Sequence, residues 1–296
     1  MPLRTAVFTV ARDWSILGCM NERSSQLAVR SNPDVVVPVV HEDPEFLVVE
    51  KPAGMVTQPG KGHMHDSLLN GLFAMREGAM GKLLHNLGER RDFGLLHRLD
   101  RETSGLLVIA KSPNAYDQLR RDFEARQVDK EYLAITAGIP KPVQGVVQAR
   151  LKEIEVPNPE GRTAHASLKK VVIHRQGQEA LSAYRVLSQT NGPEGNTPAA
   201  LVHVKIKTGR LHQIRAHMMF LHCMVLGDSL YAPASKDAGF DLKDYPRPPR
   251  LCLHAGRLGF KHPATGKWIH FAAPLPMDLT RYAAKLGIEV PSAKTN

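Results

Sequence analysis

Short apolar runs separated by polar turns occur along most of this chain. Four of these runs predict β-strands, at residues 46–51, 106–110, 128–136 and 202–206. In the last run, apolar residues alternate with His203, Lys205 and Lys207, which predicts a half-buried strand with one basic face. Residues 140–170 hold prolines, glycines and short β-like pieces, which indicate hairpins and loops.

Three segments instead have the period of an α-helix. Leu68, Leu72 and Met75 fall on one face after a capping residue, and Ser112-Pro113 is a strong helix start. The third segment begins at Gly209 and carries an apolar stripe formed by Leu211, Ile214, Met218 and Leu221. Residues 78–93 are polar and contain glycines, so they predict a surface loop. Strands grouped with a few helices predict an α+β fold with a mixed, mostly antiparallel sheet and flanking helices.

The periodic pattern covers only part of the chain. Residues 1–35 show no sustained periodicity and are predicted to be an N-terminal extension, either poorly ordered or a targeting segment for a mitochondrion or plastid. Residues 36–285 are predicted to form one domain, and residues 286–296 a C-terminal tail. Three scattered cysteines without a CxxC pair favour a reducing compartment over a disulfide framework, and we expect the cytoplasm.

Charge narrows the class of partner. The formal net charge is +10 and the pI is near 9.6, which suits a phosphate-bearing partner such as nucleic acid. No apolar run approaches the roughly 18 residues of a membrane span, and no basic amphipathic helix with an exposed aromatic face is evident. We therefore expect no membrane partner.

The most informative stretch is residues 97–111, where a carboxylate lies between two arginines and apolar runs flank the group. Asp100 stands between Arg98 and Arg101, and Thr103-Ser104-Gly105 predicts a tight turn before the strand. A carboxylate held where a sheet meets a loop, beside positive charge, is well placed to stay ionised and act as a nucleophile. The alternative is an Arg–Asp ion pair that braces a hairpin.

Residues 201–227 hold no acidic residue and form a concentrated basic strand–turn–helix unit. Arg215 lies on the edge of the apolar helix stripe, so its head could reach into a cleft. The remaining basic residues predict a phosphate-binding surface made of Lys111, Lys205, Lys207 and Arg210; the alternative is a solvated face. His212 and His217 are five residues apart, not the four of a zinc-binding helix, so we predict no metal site.

Five segments in order resemble the motifs of the RluA-type pseudouridine synthases. They span roughly residues 36 to 280: His41 through Gly54, the run from His97 to Lys111, Lys130-Glu131-Tyr132-Leu133-Ala134, Thr208 through His217, and Leu253-His254-Ala255 with His262-Pro263 beyond it. One such motif would be weak evidence, whereas five in the family's order make a chance match very unlikely. Only about 35 residues precede the first motif, so the chain resembles the subgroup without an S4 domain.

The resemblance implies the pseudouridine synthase fold with a central catalytic cleft. It also implies an isomerase that detaches uracil from the ribose of a uridine in RNA and rejoins it through C5. By resemblance, Asp100 is the catalytic carboxylate, Arg215 the cation that holds it, Tyr132 the ring that stacks on the flipped uracil, and Arg98 the residue that enters the RNA stem. His97 and His212 are expected to orient the loop through hydrogen bonds or to touch phosphates.

The expected partner is therefore a structured RNA, either ribosomal or transfer RNA, and the expected oligomeric state is a monomer. The reaction needs no metal, redox cofactor or nucleotide, and the sequence holds no GxGxxG or P-loop motif. Two alternatives stay open: a catalytically inactive RNA-binding protein on the same fold, and a different base-modifying enzyme such as a zinc deaminase. The absence of a paired-cysteine zinc motif disfavours the deaminase.

Overall fold

The computed structural model describes residues 29–157, 167–192, 197–232 and 241–291. Its strands are β1 (Val39–Glu42), β2 (Phe46–Lys51), β3 (Ser104–Ala110), β4 (Asp129–Ala137), β5 (Gln144–Pro157), β6 (Ser167–Ile173), β7 (Gln178–Thr190), β8 (Ala199–Ile206), β9 (Met224–Val225), β10 (Leu253–Lys261) and β11 (Trp268–Ala272). Its helices are α1 (Leu68–Ala74), α2 (Ala79–Leu87), α3 (Pro113–Glu124), α4 (Gln213–Phe220) and α5 (Met277–Lys285).

The strands form one sheet in the order β1-β2-β3-β10-β4-β8-β7-β5-β6, and β11 and β9 pair with β10 and β4. Among the described strands, only β3 and β10 run parallel, with His254 opposite Ser104 and Ala255 opposite Gly105. The other strand pairs among the described residues are antiparallel. The predicted α+β class with a mixed, mostly antiparallel sheet and flanking helices is confirmed.

The local patterns explain most of these elements. Ser112 accepts a hydrogen bond from the amide of Ala115, and Pro113 follows at the first helical position, so α3 begins where the sequence predicts. β3 is buried along its whole length, as its continuous apolar run indicates. β4 and β8 pair over eight residues in the middle of the sheet, which places the Tyr132 segment beside the strand that leads into the motif from Thr208 to His217.

Two local predictions are wrong. Residues 78–93 are not a surface loop: they contain α2, which buries Met80, Leu84 and Leu87 at helical spacing, and a 3-10 segment at Glu89–Gly94. This apolar stripe was not recognised in the sequence because glycines and charged residues surround it. The turn before β3 also lies earlier than predicted, since Ser104 and Gly105 already belong to the strand.

The ends of the chain are only partly described. Residues 1–28 of the predicted N-terminal extension lie outside the described residues, as do residues 292–296 of the predicted tail. The last described helix ends at Lys285, one residue before the predicted start of that tail. No described helix is long and apolar enough to cross a membrane. Cys223 and Cys252 are buried free thiols.

Gly105 joins the segment that carries Asp100 to the sheet, at a position that only glycine fits. Its φ is +125°, and a Cβ atom there would lie 2.3 Å from the carbonyl oxygen of Ala255. We expect Gly105→Ala to destabilise the protein by about 3 kcal/mol or more, since backbone strain and overpacking each cost about 1–3 kcal/mol. Gly60→Ala is the matched control, because nothing lies within 4 Å of the Cβ it would add. Equal urea midpoints for the two variants would contradict this account.

Candidate active site

The loop that carries Asp100 is held by the end of the first motif and by the residues that follow it. The buried Lys51 ammonium donates hydrogen bonds to the carbonyls of Pro52, Met55 and Arg101. The Thr57 hydroxyl donates to the carbonyl of Leu99 at 3.0 Å, and the Leu99 amide donates back to it at 3.3 Å. Because buried polar groups require such partners, these bonds fix the backbone on both sides of Asp100.

Asp100 faces a cation that a second carboxylate holds in place. Its Oδ2 lies 3.6 Å from Arg215 Nη1, and its side chain is 27% exposed. Arg215 makes two hydrogen bonds to Asp228, from Nε at 2.6 Å and from Nη2 at 2.7 Å. This bidentate geometry fixes the plane of the guanidinium group and leaves Nη1 directed at Asp100. Asp228 is itself fixed by the backbone amides of residues 230 and 231.

Burial decides the direction of the pKa shift at Asp100. It raises the pKa of this carboxyl above the ordinary aspartate value, and the charges of Arg215, Arg98 and Lys51 offset part of the increase. For Arg215, burial disfavours the charged form, but the hydrogen bonds and charge of Asp228 outweigh it and the pKa is raised. The arginine therefore stays cationic beside a carboxylate that is only partly compensated.

Tyr132 lines the same small cavity as Asp100 and Arg215, which has a volume of about 60 Å³. The residue is 8% exposed, and its hydroxyl makes no hydrogen bond with the described residues. Burial, and then the charge of Asp100, raise the pKa of Tyr132, so the phenol stays protonated at neutral pH. A larger cavity of about 860 Å³ lies beside α2 and contains none of these three side chains.

The two predicted loop histidines lie in different places. His97 stacks on Phe123 and accepts a hydrogen bond from the Val108 amide, so it packs away from Asp100. Burial lowers the pKa of His97 to about 3. His212 lines the cavity with its Nε2 3.8 Å from Asp100 Oδ2, and burial lowers its pKa to about 4. Both rings are therefore neutral at pH 7.

The predicted basic surface divides into two groups. Arg98, Arg210 and Lys207 are exposed, and the two arginines line the cavity that holds Asp100. Lys205 faces the opposite side of the sheet, where its ammonium lies 2.7 Å from Asp129. Lys111 follows the far end of β3 and binds Glu42 at 2.9 Å. Of the predicted phosphate-binding residues, the structure thus places only Arg210 in the cavity lining, together with Arg98, and places Lys205 and Lys111 elsewhere.

Three residues that shape the site have no part in the sequence-based assignment. Besides Asp228, they are Gln213 and Tyr231. The Gln213 side-chain oxygen accepts hydrogen bonds from the Thr208 hydroxyl and the Arg210 backbone amide. These two bonds stabilise the turn before α4. Tyr231 packs its ring 5.2 Å from the Arg215 guanidinium. The run Gly227-Asp228 was the available signal, since it is the first carboxylate after a long basic segment.

Metal ligands are not grouped in the part of the chain that the structure describes: no three His, Cys, Asp or Glu side chains there are arranged to hold a metal ion. The cleft instead combines one partly exposed carboxylate, one fixed guanidinium and one phenol. This set can supply a nucleophile or base, hold its charge, and stack on a planar ring.

Comparisons with known proteins agree on one family. Residues 45–219 match the family model described as RNA pseudouridylate synthase. The chain is 35% identical to "Ribosomal large subunit pseudouridine synthase D" of Zymomonas mobilis, over 83% of this chain and 71% of that protein. It is 31% identical to "RNA pseudouridine synthase 2, chloroplastic" of Oryza sativa, over 87% and 66%. The solved structure of "Human RNA Pseudouridylate Synthase Domain Containing 4" superposes with a TM-score of 0.61 and 28% identity, over 86% of this chain and 95% of that one.

Proposed function

This chain belongs to the RNA pseudouridylate synthase family, and we propose that it isomerises specific uridines in structured RNA with Asp100 as the catalytic carboxylate. The resemblance to RluA-type enzymes that the sequence motifs predicted is confirmed. The observation that carries the residue assignment is the shared cleft, in which Asp100 lies 3.6 Å from Arg215 and Tyr132 lines the same wall. An inactive RNA-binding protein would need no such arrangement.

The reaction breaks the bond between N1 of uracil and C1′ of the ribose and forms a bond between C5 and C1′. C5 loses its proton and N1 ends with one, so no oxidant, reductant or other substrate is consumed. Asp100 is the group that attacks or deprotonates the nucleotide, and Arg215 stabilises the negative charge of the Asp100 carboxylate. Because the 60 Å³ cavity is far smaller than an ordinary ligand pocket of about 300 Å³ or more, exposed side chains such as Arg98 must move when the base enters.

The proposed activity is tested with RNA transcribed in vitro, which carries no modifications. Purified protein is incubated with ribosomal and transfer RNA transcripts in the presence of EDTA, and the nuclease digest is analysed for pseudouridine by mass spectrometry. We expect product from at least one transcript. RNA binding without product would instead favour the inactive RNA-binding protein. A deaminated nucleoside in the digest, formed only when zinc replaces EDTA, would favour another base-modifying enzyme.

We expect Tyr132 to serve two functions that substitutions can separate. Tyr132→Phe keeps the stacking ring, so RNA affinity should stay within about twofold, while loss of the hydroxyl should lower kcat by about 10²-fold or more. Tyr132→Leu should also weaken binding, because stacking contributes about 1–3 kcal/mol per base. Single-turnover rates and filter-binding affinities measure the two effects. A Tyr132→Phe variant with normal kcat would remove the hydroxyl from the mechanism.

The proposed RNA is ribosomal or transfer RNA, and the name of the Zymomonas relative favours the large ribosomal subunit. We further propose a monomer that acts in the cytoplasm. The buried free thiols of Cys223 and Cys252 suit a reducing compartment. The rice relative's name makes a plastid the alternative, which fractionation of cells expressing the tagged chain would reveal. Light scattering of the purified protein measures the oligomeric state.

A further inference from the structure

A lysine outside the assigned site lies at the rim of the catalytic cleft. Lys130 is two residues before Tyr132 on β4, so both side chains project from the same face of the sheet. Its Nζ lies 3.5 Å from the position that a Cβ atom would take on Gly209, and Gly209 lines the cavity with Asp100. The Lys130 ammonium therefore borders the space that the flipped nucleotide must enter.

This ammonium group has no counter-ion in the part of the chain that the structure describes. It makes no ion pair or hydrogen bond there, and its nearest aromatic neighbour is Phe123, whose ring centroid is 5.7 Å away. Burial, and then repulsion from Lys207, lower the pKa of Lys130 to about 8. A partly buried cation without a carboxylate is costly unless a ligand compensates it.

The neighbouring carboxylates face the other way. Asp129 and Glu131 flank Lys130 in sequence, but they project from the opposite face of the sheet, where the Lys205 ammonium lies 2.7 Å and 3.6 Å from them. Because side chains alternate between the two faces of β4, the two acidic side chains lie away from the cleft. Lys130 is left without an ion-pair partner at the rim of the cleft. Exposed Arg98 and Arg210, which line the cavity, add positive charge on the cleft side.

We propose that Lys130 binds a backbone phosphate next to the flipped uridine, so that this lysine anchors the RNA strand at the mouth of the cleft. A phosphate flanks the target ribose on each side, whereas the uracil ring carries no charge that would compensate an ammonium group. A lysine is a point-charge donor that suits a phosphate oxygen. This inference rests on the proposed function, because it assumes that the ribose lies at Asp100.

The test compares Lys130→Met with Lys205→Met. Each substitution removes one positive charge from adjacent strands of the same sheet, but only the first alters the cleft side. RNA affinity is measured between 50 and 200 mM salt with the transcript that the wild type binds most tightly. For Lys130→Met we expect the slope of log K against log salt to fall by about 0.7–0.9, the value for one phosphate contact. KM should rise several-fold with kcat within about twofold, and Lys130→Arg should restore most of the affinity. Lys205→Met should keep the wild-type slope.

A wild-type slope for folded Lys130→Met would overturn the proposal and make this lysine a packing residue against Phe123. Equal loss of slope in both variants would also overturn it, because the effect would then reflect net charge. The wild-type measurement separates this inference from the function on which it rests. If the wild type binds RNA but forms no pseudouridine, the proposed function fails, while the slope comparison still decides whether Lys130 contacts a phosphate.

Discussion

Replacing Asp100 by asparagine should abolish pseudouridine formation while leaving RNA affinity within a few-fold of the wild type. The amide keeps the size of the side chain but removes the charge that faces Arg215 Nη1 at 3.6 Å. We expect single-turnover rates to fall by at least about 10³-fold, since one positioned acid, base or nucleophile typically contributes 10²–10⁴-fold. Quench assays with tritium-labelled uridine in the transcript measure the loss.

Stability separates this loss of chemistry from a loss of the fold. Burial raises the pKa of Asp100 in the folded state, so the ionised carboxylate lowers the free energy of unfolding at pH values above that pKa. This destabilisation disappears as the pH falls below the pKa that Asp100 has in the unfolded chain. Asp100→Asn should therefore melt no lower than the wild type at pH 8. An active variant would contradict the assignment, and a variant that melts well below the wild type would contradict the electrostatic account.

Replacing Arg215 by glutamine should affect both activity and stability. Asp228 is only 1% exposed, and the substitution leaves its carboxylate without its bidentate partner. Breaking a buried ion pair in this way costs about 3–5 kcal/mol. The rate should fall by about 10²-fold or more even where the variant is folded, because Asp100 loses the cation that stabilises its charge. Urea denaturation and single-turnover assays at low temperature measure the two effects.

The double variant Arg215→Gln with Asp228→Asn gives the decisive comparison. It replaces the ion pair by two neutral amides, so we expect much of the lost stability to return. The activity should not return, because nothing then faces Asp100 with a fixed positive charge. Recovery of near-normal turnover in the double variant would show that Arg215 has only a structural role, as the ion-pair partner of Asp228.

The fold was predictable where local patterns and packing agree. The runs that became β2, β3, β4 and β8 are apolar or alternating, and α3 carries its own cap and proline. α2 was not predicted, because its apolar stripe is short and lies among glycines and charged residues. Sheet order could not be derived from the sequence either, since the parallel pairing of β3 with β10 joins segments about 150 residues apart.

The motifs predicted which candidate side chains would meet, whereas charge alone did not. Asp100, Tyr132 and Arg215 meet in one cleft, as the resemblance implies. Lys205 and Lys130 show why basic residues alone mislead, because strand alternation and ion pairing decide which side they face. The 2.7 Å pair with Asp129 places Lys205 away from the cleft, whereas Lys130 lies at its rim. The partner of Arg215 depends on a contact thirteen residues away, which no local pattern specifies.

The most direct test of the central claim is a pseudouridine map of cellular RNA from a strain that lacks this chain. Total RNA from the deletion strain is compared, site by site, with RNA from strains complemented by the wild type or by Asp100→Asn. We expect one or a few uridines to lose pseudouridine in the deletion strain and to regain it only with the wild-type chain. Identical maps in all three strains, or restoration by Asp100→Asn, would contradict it.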